Sequence, residues 1–449
     1  MTEVLRGVFR FVLRIFFRRI EVAGSERVPT TGPVMFVLNH PNGLVDPAFL
    51  LCLAPRRVSF LAKAPLFRMP VVGWFCRRLE AIPIYRRQDE DSDTAHNAIT
   101  FETARRVLAQ GGAIAIFPEG TSHSDPRLRP LKTGAARIVL GAAAAASVPA
   151  PIQIVPTCLY FRAKQTFRSA ALLWYGSPFP VSPVAIAPGD EPPEGPVREL
   201  TARIARELDE VTLQAERGEA LALVARAQRI FSTADQPPEA PPSLAEELDL
   251  RRRFTRGLET LSARLPDRVT ALRARIERYE TALEAAGLDP RHVTPRTYTV
   301  GRTLRYAAQL IIVFVLLLPA ALVGAIPNYP AYRVVGFLAT RVAKRDEASL
   351  ASVKLLAAML LFPISWGGVA GLVWLRLGPW AALAALLILP VAGYGSLLFF
   401  ERLDRVAGRA RALGFYVRRR RAFLRLVAER RAIRDAIMAL GGELDVAVP

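Results

Sequence analysis

His40 and Asp46 stand in the run Phe36-Val-Leu-Asn39-His40-Pro-Asn42-Gly43-Leu-Val-Asp46-Pro47. A neutral imidazole can take a proton from a hydroxyl, and a neighbouring carboxylate fixes which ring nitrogen carries the lone pair. The pair is a candidate general base with its orienting partner. Each residue also has an ordinary reading. Asp46 before Pro47 has the form of a helix N-cap, and His40 has that of a buried histidine bound to a carbonyl.

Further segments carry groups that such chemistry can use. Arg86 follows the apolar Ile82-Pro-Ile-Tyr85. An Arg leaving a strand end can hold a phosphate with its planar fork, or simply be solvated. Phe117-Pro-Glu119-Gly120-Thr121-Ser122 sets a carboxylate, a flexible glycine and two hydroxyls after an apolar run. Glu119 can accept from a substrate hydroxyl or brace the site, Gly120 admits a close backbone approach, and Thr121 and Ser122 offer donors. Taken alone, the segment is also an ordinary turn. Ile154-Val-Pro156-Thr157 has no reactive group and reads as packing. Lys63 is a lone cation in an apolar setting, although a lysine with a covered stem and a wet head is the commoner case.

These residues need a scaffold. Short apolar runs at 34–38, 58–61, 81–85, 113–117, 152–160 and 172–175 read as strands, and 47–54, 94–109 and 131–146 as helices. Strands alternating with helices predict an α/β domain, and each chemistry-bearing segment follows a strand. The Pro-rich stretch 182–196 ends the pattern.

Asn39-His40…Asp46, Ile82-Pro-Ile-Tyr-Arg86, Phe117-Pro-Glu-Gly-Thr-Ser122 and Ile154-Val-Pro156 occur in the order and spacing of the four sequence blocks of the glycerolipid acyltransferase family. This group includes bacterial 1-acylglycerol-3-phosphate acyltransferase, glycerol-3-phosphate acyltransferases and tafazzin. Leu131-Lys132-Thr-Gly134-Ala-Ala-Arg137 resembles the helix after the third block. The resemblance covers residues 20 to 180 and implies an α/β acyltransferase domain at 23–185, a mixed sheet flanked by helices. It implies His40 as general base, Asp46 as its orienting partner and Arg86 as the phosphate ligand. Asn39, Lys63, Glu119, Gly120, Thr121 and Ser122 would line the substrate site. Acyl-CoA or acyl carrier protein would be the co-substrate of a phosphate-bearing glycerol acceptor, with no cofactor and no metal. Two features depart from the common pattern. Five residues, not four, separate His40 from Asp46, so the loop must absorb one more, with Gly43 as the natural place. That wider spacing resembles the fungal glycerol-3-phosphate/dihydroxyacetone-phosphate branch. Glu80 stands where the family often has glycine.

The rest of the chain points to a membrane. Net charge is +20, yet hydrophobic residues make up 51%. An anionic partner is implied, and lipid headgroups explain basic clusters beside apolar runs better than nucleic acid does. The three cysteines are scattered, which fits neither a disulfide framework nor zinc. Arg6, Arg10, Arg14 and Arg18 recur every fourth residue among Phe, Leu, Val and Ile, predicting an interfacial helix over 1–22. Residues 197–290 read as a charged helical, coiled-coil-like region with a Pro-rich linker at 233–243. Apolar runs at 307–326, 356–374 and 379–400 are long enough to span. Because their basic flanks all belong on one side, they are expected to form hairpins within 303–400, the first turning at Pro327-Asn-Tyr-Pro330. A basic amphipathic helix over 401–440 would then lie on cytoplasmic headgroups. The whole reads as an integral membrane protein of a bacterial inner membrane, its site facing the cytoplasm. The competing readings are a remodelling lysophospholipid acyltransferase or transacylase, and a non-catalytic lipid-binding scaffold.

Overall fold

The structure, a computed structural model, describes residues 2–85, 97–144, 150–187, 190–216, 218–232, 242–290, 293, 301, 305, 308, 311–342 and 349–443. The chain divides into two units. One comprises Met1–Gln214 with Ala339–Leu355, the other Ala215–Leu338 with Leu356–Pro449.

The first unit is built from α1 (Thr2–Phe16), β1 (Phe17–Ala23), β2 (Val34–Leu38), α2 (Val45–Leu53), β3 (Ser59–Lys63), α3 (Pro70–Arg78), β4 (Ile82–Ile84), α4 (Asn97–Ala109), β5 (Ala113–Ile116), α5 (Gly134–Ala143), β6 (Gln153–Phe161), β7 (Ser169–Tyr175), β8 (Phe179–Pro180) and α6 (Glu194–Val211). The sheet order is β1-β7-β6-β2-β5-β3-β4, with β8 pairing with β6. Strands β2 to β6 run parallel, and β7 is antiparallel to β6. All five residues of β2 are buried, which is why the strand reads as an unbroken apolar run: a parallel strand is covered on both faces. On one face Met35, Val37, Ile114 and Ile154 pack under Ala104 and Leu108 of α4 and Ile138 and Val139 of α5. On the other, Phe17 meets Phe49 edge-on at 5.2 Å and Phe36 meets Tyr175 at 5.8 Å.

Two boundaries differ from the sequence reading. The domain runs past 185, because Val197, Leu200, Ile204 and Leu208 of α6 recur at helical spacing and complete the core. The N-terminal helix ends at Phe16, because Phe17–Ala23 is a strand that satisfies the outer edge of β7. Helix α1 also has two kinds of apolar surface. Leu13 and Phe16 are buried, whereas Val4, Val8 and Phe11 form an exposed ridge flanked by Arg10 and Arg14. That ridge suits a lipid interface.

The second unit is helical: α7 (Gly218–Ser232), α8 (Leu244–Arg264), α9 (Pro266–Ala285), α10 (Leu318–Val342), α11 (Leu350–Leu377), α12 (Pro379–Arg418) and α13 (Arg420–Gly442), with α10 and α11 each lending one end to the first unit. Ile230, Ile276, Tyr279, Leu283, Phe423, Val427 and Ile433 form its core. Phe423, Val427 and Ile433 of α13 are thus covered by α7 and α9. Arg430 is 1% exposed and donates to the carbonyls of Ile230, Pro290 and Val293.

Leu350–Leu377 and Pro379–Arg418 are long and apolar enough to cross a membrane, with mean hydropathies of 1.9 and 2.1. The turn expected at Pro327–Pro330 is absent, since both prolines lie inside α10. Asn328 beside them donates to Gly324 O and Leu389 O and accepts from Trp366 Nε1 at 2.8 Å.

Candidate active site

Parallel pairing places the site. Val37 of β2 lies beside Ile116 of β5, so the loops leaving the two strands emerge side by side. The carboxyl ends of parallel strands are where α/β sheets bind ligands.

The first loop carries His40. Its Nδ1 lies 2.9 Å from Asp46 Oδ2, and its ring stacks on Phe117 with centroids 4.1 Å apart. Asp46 is fully buried and is not a cap: α2 begins at Val45, and the carboxylate turns back to accept from Asn42 N at 2.7 Å. Burial pushes the Asp46 carboxyl above its ordinary value, opposed by the His40 and Asn42 bonds and the nearby Lys164 charge. With Asp46 accepting, Nδ1 donates and Nε2 holds the lone pair. The extra residue is absorbed where the sequence allows it. Gly43 has φ +53°, and Val45 N closes a turn onto Asn42 O at 3.2 Å.

The second loop carries Glu119, which is 3% exposed. Its Oε1 accepts from His40 N at 3.2 Å, while Oε2 accepts from Arg129 N at 2.8 Å and from His123 Nε2. Gly120 has φ +74°, and its N–H closes on Phe117 O. Thr121 and Ser122 follow, half-buried, with a long 3.4 Å contact from Thr121 Oγ1 to Ser122 O.

The other expected residues are placed differently. Asn39 spends both ends of its amide on Leu159, donating to its carbonyl at 3.0 Å and accepting from its N–H at 2.8 Å. It braces β2 against β6, with its oxygen and one of its two amide N–H donors spent on Leu159. Lys63 ends β3 and pairs through its backbone with Ile84. Arg86 lies outside the described residues. Glu80 has φ +56°, the left-handed conformation that glycine adopts without strain.

His123 and Lys164 were missed by the sequence reading. His123 had a signal, lying one turn beyond Glu119 in a chain with four histidines. Its Nε2 binds Glu119, its Nδ1 accepts from Asp125 N at 3.2 Å, and its own N–H donates to His40 O. Lys164 Nζ donates to Pro41 O at 3.1 Å and to Ser124 Oγ at 2.6 Å. Nothing local marks Lys164, which comes from the turn after β6.

The site therefore offers a buried carboxylate–imidazole pair with one ring nitrogen left to receive a proton. Residues 19–160 match the family model described as Acyltransferase, and residues 224–445 the one described as Glycerol-3-phosphate acyltransferase 2 C-terminal domain. Glycerol-3-phosphate O-acyltransferase 2 of Saccharomyces cerevisiae is 28% identical over 284 residues, covering 60% of this chain and 37% of that protein. Glycerol-3-phosphate O-acyltransferase 1 of the same yeast is 25% identical over 435 residues, covering 77% and 56%. The crystal structure of the 1-acyl-sn-glycerophosphate acyltransferase PlsC from Thermotoga maritima matches 46% of this chain and 79% of its own, at 22% identity and a TM-score of 0.33. The chain spans 37% and 56% of the lengths of the two yeast relatives. The chain thus carries an acyltransferase domain, which holds His40 and Asp46, followed by a C-terminal domain of the glycerol-3-phosphate acyltransferase 2 type.

Proposed function

We propose that this protein moves a fatty acyl group from acyl-CoA or acyl carrier protein to a hydroxyl of glycerol 3-phosphate, as an integral membrane enzyme of phospholipid synthesis. The observation that carries the reading is the 2.9 Å contact between His40 Nδ1 and the buried Asp46. It leaves Nε2 as the atom that takes the acceptor's proton while the alcohol oxygen attacks the thioester carbonyl. Collapse of the tetrahedral intermediate expels the thiolate, which recovers the proton from the imidazolium. The N–H groups of Gly43, Thr121 and Ser122 have no hydrogen-bond partner among the described residues, and they are the available donors for the developing oxyanion. Both ring nitrogens of His123 are already engaged. It is not placed to activate a serine, which favours direct attack over an acyl-enzyme. Arg86 would hold the acceptor's phosphate.

Leu350–Leu377 and Pro379–Arg418 would form a spanning hairpin. Twelve arginines against four acids over 401–435 favour a cytoplasmic location for the segment that follows it. In a bacterium this is the inner membrane.

The test supplies labelled acyl-CoA or acyl carrier protein to membranes holding the protein, with glycerol 3-phosphate, 1-acylglycerol 3-phosphate or another lysophospholipid. The expected product is 1-acylglycerol 3-phosphate, absent with His40→Ala although that variant still enters the membrane. Product from another acceptor alone would reassign the substrate, and turnover by His40→Ala would remove the base.

A further inference from the structure

The loop from His40 to Val45 spends most of its backbone polar groups inside the domain. His40 N donates to Glu119, and His40 O accepts from His123 N. Pro41 O accepts from Lys164 Nζ, Asn42 N donates to Asp46, and Val45 N donates to Asn42 O. Leu44 N finds its partner some three hundred residues along the chain. It donates to Ser352 Oγ at 2.9 Å, and that hydroxyl donates to Asn42 O at 3.1 Å. Ser352 is 5% exposed and lies in the first turn of α11, within the segment that belongs to the catalytic unit. Two positions on, Lys354 Nζ donates to Gln165 O at 2.7 Å, beside the Lys164 that grips Pro41.

We propose that Ser352 is a positioning residue for the His40–Asp46 pair. A hydroxyl has one proton to give and lone pairs to accept with, and Ser352 uses both on the turn around Gly43. That turn accommodates the longer spacing between His40 and Asp46, and glycine leaves it free to move. Ser352 closes it by binding Asn42 O and Leu44 N on either side. The N–H of the same Asn42 holds Asp46, which holds His40 Nδ1. Removing the hydroxyl loosens the turn and misaligns the base. Groups that bind substrate elsewhere are untouched, so the loss falls on kcat.

The proposal rests on the acyl-transfer reading, and the experiment separates the two. Full-length wild type, Ser352→Ala, Ser352→Thr and Ser365→Ala are compared in membranes by steady-state kinetics and by hydrogen exchange over residues 39–45. Ser365 is a control, a serine of the same helix whose hydroxyl, among the described residues, bonds only Pro327 O. Losing a hydrogen bond of ordinary strength should lower kcat of Ser352→Ala about tenfold, with KM for donor and acceptor within about twofold. The Leu44 amide should exchange faster in that variant. Ser352→Thr keeps the hydroxyl and should restore both readouts, while Ser365→Ala should change neither. If Ser352→Ala does not accumulate, Ser352→Cys, a weaker partner, should fall between wild type and the expected loss. Unchanged exchange at Leu44, unchanged kcat, or equal loss in the Ala and Thr variants would overturn the inference while wild-type turnover stands. Absent wild-type turnover would overturn the acyl-transfer reading, and the exchange measurement would still decide whether Ser352 fixes the loop.

Discussion

Glu119 holds His40 by its backbone and not by its ring. Its Oε1 accepts the His40 N–H at 3.2 Å while Oε2 binds Arg129 N and His123 Nε2. One buried carboxylate thus ties the loop that carries the base to the loop that follows β5. The imidazole is left to Asp46 on its edge and Phe117 on its face.

Glu119→Gln keeps the shape but turns an amide N–H₂ toward a donor. Stability should fall by about 1–3 kcal/mol, the cost of leaving a buried polar group unsatisfied, and kcat by roughly 10- to 100-fold as His40 shifts. Thermal unfolding in detergent and steady-state kinetics check the two effects, and a change in one alone would separate brace from catalysis.

Asp46→Asn removes the charge that stabilises His40 once it has taken the proton. A fall in kcat of roughly 10²–10⁴ is expected with little change in KM, as when a positioned base loses its orienting carboxylate. Asn42 N needs an acceptor at the same point, so the new amide should orient its oxygen there and present N–H₂ elsewhere. Retained kcat would mean that His40 needs no partner.

Glu80→Gly should stabilise the acyltransferase unit. Glu80 follows the end of α3 with φ +56°, a conformation costing a side-chain-bearing residue about 1 kcal/mol relative to glycine. A higher melting temperature is the expected result. A lower one would show that the Glu80 side chain contributes more than its backbone costs.

Burial pushes the Cys52 thiol up to about 11 from 9.0, against the opposing pull of Arg10 and Arg6. In the unfolded chain the thiol ionises near its ordinary value, while in the folded chain it stays neutral. Its contribution to stability is therefore complete below pH 9 and is lost as the pH rises toward 11, a loss of about 2–3 kcal/mol. Cys52→Ala should flatten the decline in stability between those values. At pH 8 iodoacetamide should label Cys52 only after unfolding, as mass spectrometry of the alkylated peptide would show.

The sheet was legible because its strands are buried on both faces and so stand out as apolar runs. Val34–Leu38 falls where its pattern puts it, and His40 and Glu119 each follow a strand end. Phe17–Ala23 was hidden because Arg18 and Arg19 continue a helical rhythm, whereas the partner that makes it a strand, β7, lies far along the chain. The same limit concealed Lys164 and Ser352: a hydrogen bond across 123 or 308 positions leaves no local trace. Asn39 had a visible motif but not a visible role, since an amide that could face substrate is instead matched to both polar groups of Leu159. Pro327 and Pro330 read as a turn because their sequence does not show Asn328 and Trp366 meeting beside them.

The residue that closes the catalytic loop is made late. The continuous part of the catalytic unit ends at Gln214, and Ser352 follows about 140 residues afterwards. At ordinary synthesis rates of about 5–20 residues per second, that is a delay of roughly 7–30 s. During that interval the sheet and His40 have left the ribosome, but Leu44 N lacks its partner. Full activity in a nascent chain should therefore begin only once the start of Leu350–Leu377 has been made, so that the timing of translation itself sets when the turn between His40 and Asp46 is closed.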